Sequence, residues 1–284
     1  RRMKFTQPAA DAYVPDNTPL GAALARTTHL CIAAHQDDIE IMAYHGIAEC
    51  HGRPDRGFTG VVVTDGGGSP RSGKFAGCSD EQMKHIRAEE QRAAARLGGY
   101  AAMLQLAHPS ARVKDAQFSG VRDDLSAILA RMTPQVVYLH NPADKHDTHV
   151  AVLQRSLEAL RAMPAEKRPA QVYGCEVWRD LDWLLDADKV ALDVSAHPQL
   201  AAQLVGVFES QIAGGKRYDL ATAGRRLANA TFHTSHATDK AHGLTWAIDL
   251  APLVRDPQLS LEEFTLAYID RFRADVAARL KKFR

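Results

Sequence analysis

The sequence of 284 residues lacks an apolar run long enough to cross a bilayer, and it lacks an excess of either charge. Lysine and arginine number 35 against 34 aspartates and glutamates, which gives a net charge of +1. Without a basic surplus or a charge block, we expect neither a nucleic-acid partner nor a membrane partner. No signal-type apolar segment follows the opening Arg-Arg-Met-Lys-Phe. Met3 as the natural start and a longer leader before residue 1 both stay open.

The four cysteines, Cys31, Cys50, Cys78 and Cys175, contain no C-x-x-C pair. We expect reduced thiols in a cytoplasmic protein, although four widely spaced cysteines leave a disulfide open. The chain shows no internal repeat and no low-complexity tract. Its length suits one large domain or two small ones.

Strand and helix patterns alternate from residue 28 to about residue 178. Strand patterns lie at 28–34, 59–64, 101–106, 135–140 and 170–178, and helix patterns lie at 39–51, 80–97, 119–132 and 147–162. Such alternation predicts βαβ units with right-handed crossovers. The expected fold is therefore α/β, with a mainly parallel sheet and helices on both faces.

The two ends of the chain follow other patterns. Residues 1–25 are expected to be an irregular lead-in. Beyond residue 178, strand patterns at 189–194 and 243–250 accompany helix patterns near 197–212, 218–229 and 260–282. We interpret residues 179–284 as an α+β elaboration on the sheet of the core, 28–178. Because no linker-like stretch separates the two parts, we predict a single domain over 1–284.

Three polar residues end the apolar run from Leu30 to Ala34: His35, Asp37 and Asp38. They fall where a predicted strand meets a predicted helix, and ligands of open α/β sheets bind at the carboxyl ends of strands. His35 and Asp38 are three residues apart and could reach one cation, which would leave Asp37 free to act on a water. The alternative is a helix cap beside a solvated carboxylate. A catalytic zinc also needs a third protein ligand.

A second cluster follows the strand pattern that ends at His140. Three histidines and two aspartates fall within residues 140–149, again between a strand and a helix: His140, Asp144, His146, Asp147 and His149. A helix beginning near Asp147 could turn His146 and His149 towards one crevice. Because both clusters lie at carboxyl ends of strands, the missing third ligand is expected here.

The glycine-rich loop after the second strand favours a different kind of ligand only weakly. Gly68 to Lys74 fits part of a phosphate-binding loop, but Phe75 stands where such a loop needs serine or threonine for magnesium. The next helix is expected to start at Ser79, with Gln82 completing a capping box. We therefore expect a mobile loop beside the ligand crevice rather than a nucleotide site.

Other residues have plain structural explanations besides functional ones. Arg87 and Glu90 lie one helical turn apart and could simply pair on the surface. The tryptophans could form a sugar-stacking platform or belong to the core: Trp178, Trp183 and Trp246.

Taken together, these motifs resemble the PIG-L/LmbE-like zinc N-deacetylases, which remove acetyl groups from N-acetylglucosamine-type sugars. Their A-H-P-D-D motif is matched by Ala34-His35-Gln36-Asp37-Asp38, and their D-R-H-P-D-H motif by residues 144–149. Their R-x-x-E helix motif is matched by Arg87, Glu90, Ala94 and Leu97-Gly98. The resemblance covers about residues 28–178. It implies a Rossmann-like α/β sheet, in agreement with the alternation above.

The resemblance also implies roles for single residues. It implies zinc ligands at His35, Asp38 and His149, a general base at Asp37, an acid or oxyanion stabiliser at His146, and a sugar-binding position at Arg87. Two departures stand out. Gln36 replaces the usual proline, and the aspartate of the second motif is Asp147, one residue early, with Thr148 in its usual place.

The expected function is zinc-dependent removal of an acetyl group from an N-acetylglucosamine-type amino sugar or its conjugate. Asp37 would take a proton from the zinc-bound water, and charged His146 would meet the oxyanion or protonate the amine. Another divalent transition metal and a homo-oligomer stay open. The alternatives are a zinc amidohydrolase acting on a non-sugar N-acyl amide and a nucleotide-binding Rossmann module.

Overall fold

The computed structural model of the chain describes residues 3–284. Its strands are β1 (Asp11–Tyr13), β2 (His29–Ala33), β3 (Phe58–Thr64), β4 (Ala102–His108), β5 (Val136–His140), β6 (Gln171–Cys175), β7 (Val190–Asp193) and β8 (Leu244–Asp249). Within the described residues they form one eight-stranded sheet in the order β1-β4-β3-β2-β5-β6-β8-β7.

Twelve α-helices accompany this sheet within residues 3–284. The first six are α1 (Leu20–Ala25), α2 (Asp38–Met42), α3 (Tyr44–Cys50), α4 (Asp80–Gly98), α5 (Ser110–Lys114) and α6 (Gly120–Leu129). The others are α7 (Asp147–Arg161), α8 (Pro198–Gly206), α9 (Glu209–Ile212), α10 (Tyr218–Phe232), α11 (Ala251–Arg255) and α12 (Leu261–Lys281).

Five neighbouring strands, from β4 through β3, β2 and β5 to β6, run parallel to one another. Strand β2 is buried on both faces, as expected for a parallel strand covered by helices on either side. Leu30 and Ile32 point into one hydrophobic cluster, and Cys31 and Ala33 point into the other. Side chains alternate along a strand, so each face of the sheet has its own core. The predicted α/β class with a mainly parallel sheet is confirmed.

The edges of the sheet are antiparallel: β1 pairs with β4 on one side, and β8 pairs with β6 and β7 on the other. The expectation of an irregular lead-in over residues 1–25 is wrong for β1 and α1, and residues 1 and 2 lie outside the described residues. Strands β7 and β8 extend the sheet that residues 28–178 form, as we expected of the C-terminal elaboration. The single domain over 1–284 stays a prediction.

The helix predicted over 39–51 is interrupted at Ala43, which ends α2 and caps α3 with φ −114° and ψ 20°. Helix α4, in contrast, follows its sequence signals at both ends. The Ser79 hydroxyl accepts from the Gln82 N–H, the Gln82 side chain accepts from the Ser79 N–H, and Gly99 ends the helix in the left-handed region at φ 66°. Among the described residues, no helix is long and apolar enough to cross a membrane.

Candidate metal centre

Three side-chain atoms from the two predicted clusters converge at the carboxyl edge of the sheet. His35 Nδ1 lies 3.2 Å from Asp38 Oδ2 and 3.1 Å from His149 Nε2, and His149 Nε2 lies 3.3 Å from Asp38 Oδ2. Zinc bonds of about 2.0–2.1 Å at tetrahedral angles would hold their ligand atoms about 3.3 Å apart. The triangle is therefore the size of one face of a tetrahedral zinc site.

The adjacency of β2 and β5 brings these atoms together. His35 follows β2, and His149 lies in the first turn of α7, which begins soon after β5. The turn after β2 is fixed by the Asp38 carboxylate, which accepts the His35 backbone N–H at 2.8 Å. Asp38 is 3% exposed and His149 is fully buried. Both aspartates next to β2 are buried, so the alternative of a solvated carboxylate does not hold.

Charge complementarity holds this cluster together. Burial opposes ionisation of Asp38, yet the His149, His35 and His140 rings lower its pKa below the ordinary value. Burial also opposes protonation of His149, but Asp38 and Asp144 raise its pKa. For His35, burial prevails and lowers the pKa. An ionised carboxylate beside two imidazole rings is a suitable donor set for a divalent cation, which would take the place of a proton on His149.

Asp37 contacts other residues than those of this triangle, and its backbone turns sharply. Its φ of 94° lies in the left-handed region, which costs a residue other than glycine about 1–3 kcal/mol. The Asp37 N–H donates to Gln91 Oε1 at 3.3 Å, and Asp37 Oδ2 accepts from Arg87 Nη2 at 3.3 Å. Burial raises the pKa of Asp37, although the Arg87 guanidinium opposes the shift. Asp37 also lines the cavity described below.

Arg87 does not pair with Glu90 on the surface, so that structural alternative is wrong. Arg87 is 4% exposed and donates to Asp37, to the Gln36 carbonyl and to the Ser69 hydroxyl. Glu90 instead accepts from the backbone N–H and the hydroxyl of Ser210, at 2.7 and 2.6 Å. Arg87 reaches the cavity wall, but three of its hydrogen bonds are already made within the protein.

His146 lies beside the triangle and faces the cavity. Its ring stacks on His149 at 4.5 Å and meets His35 edge-on at 4.9 Å. Within residues 3–284, His146 Nδ1 has no hydrogen-bond partner. The sequence departure accounts for this, because Asp147 is exposed and the buried Thr148 carries no carboxylate. Burial lowers the pKa of His146, and the neighbouring His149 lowers it further.

Two residues of the second cluster make contacts that the sequence did not reveal. Asp144 Oδ2 lies 3.3 Å from His149 Nδ1 and therefore orients this ring from behind. His140 Nε2 lies 3.6 Å from Asp38 Oδ2, but it accepts the Ala34 N–H at 2.9 Å. Its lone pair is already used, so His140 cannot bind a metal through that atom. It supports His149 by stacking at 3.9 Å.

A cavity of about 630 Å³ opens in front of the triangle. The glycine-rich loop contributes Gly66, Gly68, Ser69 and Pro70, and the C-terminal part of the chain contributes Trp178 and a face of α10. Of the other two tryptophans, Trp246 is 3% exposed and in the core, and Trp183 packs against the core. Lys74 pairs with Glu209 at 2.6 Å, and α4 begins only at Asp80. A phosphate-binding loop would pass into its helix at the lysine, so this arrangement argues against a nucleotide site.

The α/β sheet and the His/Asp triangle at its carboxyl edge together define an α/β protein with a candidate metal site. Residues 30–160 match a family described as PIG-L, GlcNAc-PI de-N-acetylase. This part of the chain is therefore similar to the PIG-L family, as the motifs predicted. No curated protein matches the chain.

Solved structures share the fold at low sequence identity. A conserved protein from Thermus thermophilus is 18% identical with a TM-score of 0.59, covering 82% of this chain and 99% of that one. The N,N'-diacetylchitobiose deacetylase from Pyrococcus horikoshii, in complex with an inhibitor, is 18% identical with a TM-score of 0.57, covering 78% and 84%. GalB, a 4-carboxy-2-hydroxymuconate hydratase from Pseudomonas putida, is 17% identical with a TM-score of 0.57, covering 82% and 98%. A deacetylase and a hydratase share this fold, so the site must decide the activity.

Proposed function

We propose that the protein is a zinc-dependent hydrolase that removes an acetyl group from an N-acetylglucosamine-type amino sugar or its conjugate. The observation that carries this proposal is the triangle of His35, Asp38 and His149, with its edges of 3.1–3.3 Å beside a cavity of about 630 Å³. These three residues would hold the ion. When bound, zinc lowers the pKa of a coordinated water and polarises an acyl oxygen.

The chain's own residues would supply the proton transfers. Asp37 is the proposed general base, because it lines the cavity beside the triangle and its carboxylate accepts from Arg87 rather than joining the ligand atoms. Arg87 holds that carboxylate in place, and sugar binding by Arg87 remains part of the proposal. His146 is the proposed acid, which gives its proton to the leaving nitrogen of the amide. Its free Nδ1 means that it must do so without a carboxylate partner among residues 3–284.

The same proposal extends to the setting of the enzyme. We infer a cytoplasmic protein of one domain, with a small-molecule substrate and with neither nucleic acid nor membrane as a partner; a homo-oligomer stays open. The near balance of charge supports the exclusion of nucleic acid.

Metal analysis and acetate release test the proposal together. The purified protein should contain about one zinc or similar divalent ion per chain, and it should release acetate from N-acetylglucosamine or its glycosides. Chelation should abolish the release, and added zinc should restore it. Acetate release from non-sugar N-acyl amides alone would favour the amidohydrolase alternative. Tight ATP binding without zinc in calorimetry would favour the nucleotide-binding alternative.

A further inference from the structure

The cavity has a second polar region, one strand beyond the metal centre. Strand β6 ends at Cys175, which pairs in register with His140 at the end of β5. Glu176 therefore leaves the sheet at the same edge as the metal cluster, displaced by one strand. It lines the cavity although only 2% of the residue is exposed. The mechanism proposed above leaves this buried carboxylate unused.

Glu176 is only partly satisfied by the protein. Asn229 Nδ2 lies 3.2 and 3.1 Å from its two oxygens and also 3.2 Å from the Leu244 carbonyl. An amide group has two hydrogens and cannot satisfy all three acceptors at once, while a carboxylate offers about four acceptor positions. Within residues 3–284, no lysine, arginine or histidine nitrogen forms an ion pair with Glu176. Burial raises its pKa to about 7, although Asn229 and Arg225 oppose the shift.

Helix α10 contributes a polar stripe to the same wall of the cavity. Residues spaced by three and four along this helix line the cavity: Tyr218, Ala221, Thr222, Arg225, Arg226 and Asn229. The stripe offers a phenol, a hydroxyl, guanidinium groups and an amide, and Trp178 supplies an aromatic surface nearby. Such a mixture of donors, acceptors and one aromatic ring is suited to a neutral polyhydroxy ligand.

The charges around Glu176 disfavour a cationic or an anionic group of a ligand beside this carboxylate. Lys216, Arg225 and Arg226 line it, so an ammonium group approaching Glu176 would meet three cations. An anion placed directly beside Glu176 would be repelled by the ionised carboxylate, which cannot donate a hydrogen bond to it. In addition, Arg226 Nη2 already donates to the carbonyls of Glu40 and Ile41. A neutral hydroxyl group avoids both repulsions, and it can donate to the carboxylate while accepting from the amide.

We propose that Glu176 and Asn229 form a subsite that binds hydroxyl groups of the sugar, on a part of the substrate away from the reacting acetamide. This inference rests on the proposed function, because it names what recognises the sugar in that same cavity. In this proposal Glu176 selects the substrate, and the proton transfers stay with Asp37 and His146.

The test compares sugar and non-sugar substrates in the metal-loaded protein. For wild type, Glu176→Gln and Asp180→Asn, kcat/KM is measured with N-acetylglucosamine and with N-acetylcyclohexylamine, which lacks hydroxyl groups. Glu176→Gln should lower the ratio of the two values about 10–100-fold, chiefly through KM for the sugar, as expected for loss of hydrogen bonds to a charged group. Asp180→Asn removes an exposed, solvent-screened charge from the same segment and leaves the Glu176–Asn229 hydrogen bonds in place, so it should leave the ratio unchanged.

Deoxy analogues give a readout that a merely structural role would not move. Wild type should discriminate against at least one of the 3-, 4- and 6-deoxy forms of N-acetylglucosamine about tenfold or more, and Glu176→Gln should lose that discrimination. Equal losses for sugar and non-sugar substrates, or an unchanged ratio, would overturn the subsite.

Direct binding separates failure of the subsite from failure of the proposed function. If wild type releases acetate from neither substrate, the proposed function fails, and the affinity for N-acetylglucosamine is then measured by titration followed by NMR. Weaker binding by Glu176→Gln than by wild type and Asp180→Asn would still support the subsite. Equal binding by all three, or no binding by wild type, would overturn it.

Discussion

Replacement of Asp144 tests the candidate metal centre without removing one of its three proposed ligands. The Asp144 carboxylate accepts the His146 N–H at 3.1 Å through Oδ1 and the Trp178 N–H at 3.1 Å through Oδ2. The same Oδ2 lies 3.3 Å from Nδ1 of His149, whose other nitrogen belongs to the triangle. The carboxylate thereby fixes the ring and makes the opposite nitrogen a better ligand.

The size of the effect depends on how many of these contacts survive. Asp144→Asn can turn its oxygen towards His149 and Trp178, so at His149 it replaces a charged acceptor with a neutral one, although its NH2 group then no longer accepts the His146 N–H. That exchange is worth about 1–1.5 kcal/mol, or about five- to tenfold in zinc affinity. Asp144→Ala removes all the acceptors and leaves His149 Nδ1 unpaired in a buried position, so we expect a loss of about a hundredfold.

Competition with a chromophoric chelator measures the zinc dissociation constant of each variant. Asp147→Asn is the matched control, because it removes the same charge from the start of α7 while its side chain is exposed. It should bind zinc like wild type. Wild-type affinity in Asp144→Ala, or equal losses in Asp144→Asn and Asp147→Asn, would refute the orienting role of Asp144.

Asp37→Asn should keep its metal and lose about 10²–10⁴-fold in turnover, because an amide accepts no proton at neutral pH, whereas Asp38→Asn should lose metal and be partly rescued by added zinc. Bound metal and turnover, with and without added zinc, distinguish the two, and the reverse pattern would contradict the assignment. The Glu176 carboxyl has its pKa raised from 4.5 to about 7 on folding, so the folded state holds its proton to higher pH than the unfolded state. Relative to Glu176→Gln, wild type should therefore lose up to about 3 kcal/mol of unfolding free energy as pH rises from about 4.5 to about 7; parallel pH profiles in urea unfolding would refute this. Gly46→Ala should lower the unfolding free energy by about 1–3 kcal/mol, because its Cβ would lie 2.5 Å from Cε2 of Tyr138. An unchanged urea midpoint would show that the ring moves aside.

The sequence predicts those parts of the fold that depend on local patterns. The apolar runs of the parallel strands and the capping box at Ser79 both reappear in the structure. Local patterns miss β1, which has three half-buried residues and exists only because β4 offers it an edge. They also miss the interruption at Ala43, where the backbone leaves the helix within a sequence of continuous helical periodicity.

The candidate site was likewise predictable where it depends on local sequence and unpredictable where it depends on the packing of distant residues. The placement of His35 and His149 could be predicted, because the carboxyl ends of parallel strands share one edge of the sheet. The polar stripe of α10 could have been read from Tyr218, Thr222 and Asn229, since their spacing puts them on one helix face. Its position opposite Glu176 could not be read, because that depends on how residues far apart in the chain pack together.

The backbone conformation at Asp37 is one that glycine adopts more easily than aspartate. A glycine would adopt φ 94° without strain, but Asp37→Gly would remove the proposed base and would leave the buried Arg87 guanidinium without its carboxylate. The residue that the turn prefers is thus the one that the proposed chemistry cannot use. The turn by itself therefore favours glycine, whereas the pairing with Arg87 and the proposed proton transfer both favour the aspartate.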